Sequence, residues 1–187
     1  MSSASPNTIL ISPVGQFDPA LIEAVAQGIQ RVFGLISAVS PLISDLAFAF
    51  DPKRGQYHST PILDKLAASA PSWALKVLAL TQVDLFIPIL THVYGEAQLG
   101  GRACIVSLFR LNEGPSVLHA PQLHVERLVK EAIHELGHTF RLRHCPSLVC
   151  LMHYCRSEAD VDHKSDQLCR YCQVLLQDEL RRTATRK

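Results

Sequence analysis

What the chain lacks narrows its roles before anything else does. No apolar run approaches the roughly 20 residues of a membrane-spanning helix. The most hydrophobic stretch, 73–90, is interrupted by Lys76 and Asp84 and reads as a buried strand with its flanks. An excess of one charge is also missing. The formal net charge is +1, so neither nucleic acid nor a membrane surface is expected as a partner. The first six residues carry no positive charge of the kind that opens a secretory leader, and the short apolar run after them is broken by Pro13. The chain is therefore expected to be cytoplasmic. There is no internal repeat. What is present is 187 residues, 48% hydrophobic and 19% charged, enough for one well-buried domain over 1–187 with little left for a second.

Residues 1–7 read as a disordered tail. A compact apolar run over 8–14 predicts a buried strand. Leu21, Ile22, Val25, Ala26, Ile29, Val32 and Phe33 recur at helical spacing, and Gly34 is the expected stop. Further strands are predicted over 36–42 and 46–50, with a turn at 51–55. A helix is predicted over 60–70. The apolar run 76–87 should hold a central strand ended by Pro88, which cannot donate to a ladder. The glycines in 95–101 permit turns and close backbone approach, and 102–110 reads as another strand. After a loop at 112–121, the strongest helical pattern follows, with Leu128, Val129, Ala132, Ile133, Leu136 and Phe140 on one stripe. Strands alternating with helices imply an α/β layer under a helix. The last residues, 181–187, read as a frayed basic tail.

That helix carries His134-Glu135-Leu136-Gly137-His138, and His144 follows six residues later. Residues four apart share a helix face, so His134 and His138 can reach one metal ion. Three imidazoles leave a fourth zinc position open, the arrangement of a catalytic rather than a structural site. Glu135 follows a ligand directly and is suited to act as general base on a metal-activated water. The alternative is a helix that merely happens to carry two histidines and a glutamate; the interval to His144 argues against it.

In a reducing compartment, six cysteines favour metal binding over disulfides. Five of them lie between Cys145 and Cys172. Cys145 and Cys150 form one close pair and Cys169 and Cys172 another, the layout of a four-thiolate zinc site. Such a site has a net charge of −2, which Arg143, Arg156, Lys164 and Arg170 are near enough in sequence to offset. Cys155 fits neither pair and is read as a packed or partly exposed thiol, and Cys104 as a core residue.

The histidine motif, the cysteine that follows it at once, Cys150, Met152 two residues on and the distal Cys169-Arg170-Tyr171-Cys172 together resemble the archaemetzincins, within the metzincin clan of zinc peptidases. The segment 95–102 also resembles that family. The span from Met152 to Cys169 is one residue shorter than the family pattern, which a loop absorbs. The resemblance implies an α/β (α+β) fold: a mixed twisted sheet with an antiparallel edge strand, packed on the zinc-binding helix. Residues 8–140 would form an N-terminal subdomain with that helix, and 141–180 a small zinc-stapled C-terminal one. It further implies that Met152 forms an apolar Met-turn beneath the histidines, and that a peptide or protein substrate lies extended along an edge strand drawn from 95–108. Two zinc ions are implied, one catalytic and one structural.

One position departs from the family. Arg141 stands where a glycine ends the helix in a left-handed turn. A side chain there costs about 1–2 kcal/mol, against the order of 10 kcal/mol available from zinc at a structural site. Arg141 motivates the competing expectation of a zinc-stabilised peptide- or protein-binding protein with weak or no catalysis. Elsewhere, Asp160, Asp162 and Lys164 read as a solvated loop, and Glu131 as a partner for a cation on the helix surface. His119, His124, His153 and His163 read as surface or packed histidines, and Tyr154 is given no role.

Overall fold

The computed structural model describes residues 8–113 and 122–185. The expected tail at 1–7, most of the loop at 112–121 with His119, and the last two residues lie outside them. Eight strands are described: β1 Thr8–Pro13, β2 Ile36–Val39, β3 Phe50–Asp51, β4 Gln56–His58, β5 Ala74–Thr81, β6 Leu85–Phe86, β7 Gly95–Ala97 and β8 Ala103–Ser107. The helices are α1 Pro19–Phe33, α2 Ser59–Ser69, α3 Leu108–Leu111, α4 Leu123–Thr139, α5 Glu158–His163 and α6 Arg170–Thr185.

The main sheet has the order β2-β1-β5-β8-β7. Its first four strands run parallel, and β7 closes one edge antiparallel to β8. Alternation along each strand divides the core. Ile9, Ile11, Leu78, Leu80, Cys104 and Val106 face α1 and α4, whereas Leu10, Val77, Ala79, Ala103 and Ile105 face α2 and the segment around Ile43 and Leu46. Burial on both faces is why these strands read as continuous apolar runs. A second small sheet, β3-β4-β6, borders the α2 side.

Local chemistry sets the helix ends. Asp18 accepts a hydrogen bond from the Ala20 amide, and Pro19 opens α1. Gly34 ends it in a left-handed conformation. In α1, Gly28 brings that helix close to α4: a β-carbon there would come 2.9 Å from Val129.

Four expectations are corrected. The predicted strand 46–50 is a 3-10 turn over Ala47–Ala49, because Asp45 accepts from the Ala47 amide and holds the chain in a turn. The predicted strand 102–110 stops at Ser107, whose hydroxyl accepts from the Phe109 amide and starts α3. Asp160 and Asp162, read with Lys164 as a solvated loop, lie in the helix Glu158–His163, which a reciprocal capping box between Ser157 and Asp160 opens. Residues 181–185 continue α6 rather than fray. No helix among the described residues is long and apolar enough to cross a membrane.

Candidate metal and active centre

The end of α4 builds the site. The Leu142 amide donates to the Gly137 carbonyl and the Arg141 amide to the His138 carbonyl, the paired bonds of a Schellman turn. Arg141 occupies its left-handed position with φ 64°. The turn reverses the chain and brings His144 back over the helix. The side chain of Arg141 lies along Gly100, and its guanidinium is 3.7 Å from Glu179 of α6. It does not line the cleft.

His134, His138 and His144 converge, with candidate ligand atoms all within 4.8 Å of one another. The Nδ1 of His134 lies 3.0 Å from the Leu151 carbonyl, and that of His138 2.7 Å from the Leu142 carbonyl. A carbonyl only accepts, so each Nδ1 carries the proton and each Nε2 a lone pair. These two Nε2 atoms face each other at 3.1 Å. Two acceptors so close need a cation or a shared proton between them, and tetrahedral zinc with bonds of about 2.0 Å sets its nitrogens about 3.3 Å apart. Burial holds all three imidazoles below their usual protonation range, with His138 brought down to about 4. The rings are thus neutral near pH 7, the form that binds metal.

Glu135 is almost wholly buried. Burial, and then the neighbouring Glu131, push its carboxyl well above the usual range. It lies against the edge strand: a β-carbon on Gly95 would come 2.7 Å from its Cγ. Met152 is fully buried beneath Gly137, where a β-carbon would come 2.7 Å from the methionine sulfur. Its carbonyl accepts from the Cys145 amide, tying the segment after His144 to the turn at Met152.

Cys145, Cys150, Cys169 and Cys172 form a second cluster of the same compactness. The Cys145 and Cys169 sulfurs are 3.8 Å apart, the separation across a tetrahedral site with Zn–S bonds of about 2.3 Å. The Cys172 backbone amide, which hydrogen-bonds Cys169, lowers that thiol to about 7. Cys104 is buried in β8, and Cys155 is partly exposed on the cleft wall.

A cleft of about 330 Å³ opens over the histidines. It is lined by Glu135 and β7, by Tyr154 to Arg156, and by Ile87 and Leu90. The ring of Tyr154 lies 5.0 Å from that of His144. His153 turns away, its Nδ1 donating to the Cys145 carbonyl.

The largest departure from the sequence reading is at Lys164, which is buried, with its Nζ 2.6 Å from Glu131 Oε1. Glu131 is itself buried and lines the cleft. Lys164 therefore does not offset the thiolates. Asp162, also expected to be solvated, accepts two hydrogen bonds from the buried Arg127. The available signal was the helical spacing of Glu131 and Glu135, which puts two carboxylates on one face and calls for a cation.

The sequence pattern of peptidase family M54 matches residues 49–178. The archaemetzincin of Methanopyrus kandleri is 43% identical over 134 residues, 72% of this chain and 73% of that protein. That of Methanocaldococcus jannaschii is 36% identical over 173 residues, 91% and 93% of the two chains. The fold is similar to the crystal structure of the M. kandleri archaemetzincin, with a TM-score of 0.83, 34% identity and coverage of 93% and 95%. It is also similar to that of the Archaeoglobus fulgidus archaemetzincin complexed with malonate, with a TM-score of 0.76, 34% identity and coverage of 90% and 99%. On this evidence the chain belongs to peptidase family M54, the archaemetzincins, a family of zinc metallopeptidases.

Proposed function

We propose that the chain hydrolyses peptide bonds with Glu135 as general base, at a zinc ion held by His134, His138 and His144. A second, structural zinc is held by Cys145, Cys150, Cys169 and Cys172. The observation that carries the reading is the pair of Nε2 lone pairs facing each other at 3.1 Å, with Glu135 in the same cleft. When bound, the catalytic ion supplies Lewis-acid polarisation and makes a water nucleophile available near pH 7. Glu135 takes the proton from that water and delivers it to the departing amine.

The substrate backbone pairs with β7. Tyr94 accepts from the Ser107 amide, Gln98 donates to the Ala103 carbonyl, and Glu96 is opposite Ile105. Antiparallel alternation then directs the peptide groups of Gly95 and Ala97 to the free edge, where an extended peptide can add as a further strand. Glu96, on the other face, accepts from the Ser59 and Thr60 hydroxyls at the start of α2 and fixes the strand. Met152 forms the Met-turn floor. The partner is a peptide or protein rather than nucleic acid or membrane, and the location is cytoplasmic.

Arg141, the ground for expecting weak catalysis, completes the helix-ending turn and stays out of the cleft, which favours the peptidase reading. The test is Glu135→Gln. It should keep two zinc ions per chain and lose about 10²–10⁴ in rate on a peptide library. Equal activity of wild type and variant would remove Glu135 from the mechanism.

A further inference from the structure

Lys164 follows α5, and its fully buried side chain reaches the zinc helix from behind the cleft. Its Nζ is 2.6 Å from Glu131 Oε1 and 3.4 Å from His134 Nδ1. That nitrogen already donates to Leu151, so it offers the lysine no acceptor. Glu131 is what the ammonium engages. Stability alone is a poor reason for such a pair: both charges forgo hydration, and apolar residues of similar volume often serve as well. The placement of Glu131 supplies a better one. It lies one turn before His134 and lines the cleft that the three histidines share, yet it stands outside their cluster of ligand atoms. A carboxylate is a competent zinc ligand, and a fourth protein ligand would close the position that the reaction needs.

We propose that Lys164 is a positioning residue, which holds the Glu131 carboxylate out of the coordination sphere of the histidine-bound metal. The role rests on the zinc peptidase reading above. It predicts an unusual outcome: removing the lysine strengthens metal binding while weakening catalysis.

The variants are Lys164→Met, Lys164→Arg and the double variant Lys164→Met with Glu131→Gln, each compared with wild type. Zinc affinity of the histidine site is read by chelator competition, coordination from the absorption spectrum of the cobalt-substituted protein, and catalysis from kcat and KM. Lys164→Met should bind zinc more tightly, by about tenfold, and shift the cobalt spectrum. Its kcat should fall by about 10–100-fold, the usual scale for a group supporting a metal site, with KM little changed. Lys164→Arg should retain most of the rate. The double variant should return both affinity and kcat toward wild type. Because it buries no unpaired charge, it decides the matter even if Lys164→Met does not fold: a double variant as impaired as a misfolded control overturns the proposal. Weaker zinc binding in Lys164→Met, or a loss of kcat that the second substitution leaves untouched, also overturns it. If wild type holds zinc at the histidines but cleaves nothing, the peptidase reading fails, and the affinity and spectral comparisons still decide the role of Lys164. If wild type holds no metal there, both fail.

Discussion

Gly137 and Met152 are in contact at the centre of the site, so close that a β-carbon on the glycine would come 2.7 Å from the methionine sulfur. The contact joins the C-terminal half of α4 to the turn beneath it. Gly137→Ala should therefore force the helix and the Met152 turn apart, at a cost of about 1–3 kcal/mol for overpacking. His134 and His138 flank the glycine, so zinc affinity at the histidine site should fall as well. Chemical denaturation together with zinc competition reads both effects. A stable variant with unchanged zinc affinity would mean that the floor yields freely.

Arg141→Gly should raise stability by about 1 kcal/mol, since glycine adopts the left-handed conformation without steric cost. The lost contact with Glu179 is at 3.7 Å on a largely exposed side chain and subtracts little. Activity should stay within about twofold, because the guanidinium is outside the cleft. Unfolding midpoints and peptide turnover, measured together, check this. A large rise in turnover would show that Arg141 does restrain the site.

Lys76 donates to the carbonyls of Gly101 and Thr139, at the end of α4. Burial lowers it from its ordinary value of 10.5 to about 8. Between those two values the unfolded chain binds a proton that the folded chain does not. Its contribution to stability is therefore least favourable below about pH 8 and rises toward pH 10.5. Compared with Lys76→Met, wild type should gain stability between pH 8 and 10, as read by urea denaturation at both values. An unchanged difference between the two proteins would refute the shift.

The two proposed metal sites should differ in what emptying them does. A mild chelator that strips the histidine site should abolish turnover and leave the fold intact. Cys172→Ser should instead loosen the segment 142–172, because that segment is closed by the four-sulfur cluster. Loss of His144 geometry and of turnover would follow, since Cys145 is the next residue. Circular dichroism with metal analysis separates the cases. A fully folded, fully active Cys172→Ser protein would deny the cluster its structural role.

Much of the site was legible because its spacing is local. Residues four apart share a helix face whatever packs around them, and two close cysteine pairs announce a thiolate cluster. The edge strand was less legible. Only the register of β7 against β8 shows that Gly95 and Ala97, rather than Glu96, turn their peptide groups outward. The strand at 46–50 and the loop at Asp160 and Asp162 were misread because side chains of Asp45, Ser157 and Asp160 satisfy backbone groups locally and outcompete the apolar or polar pattern.

The sequence by itself determined the spacing that groups His134, His138 and His144 with Glu135 beside them, the four clustered cysteines, and the helix that carries His134, Glu135 and His138. Only the tertiary structure decided the standing of Lys164 and Glu131. Both look like surface charges in the sequence. They are buried because α5 packs its end against α4. Burial belongs to the assembled layers, and a charge removed from water must take its partner from whatever the fold brings within reach.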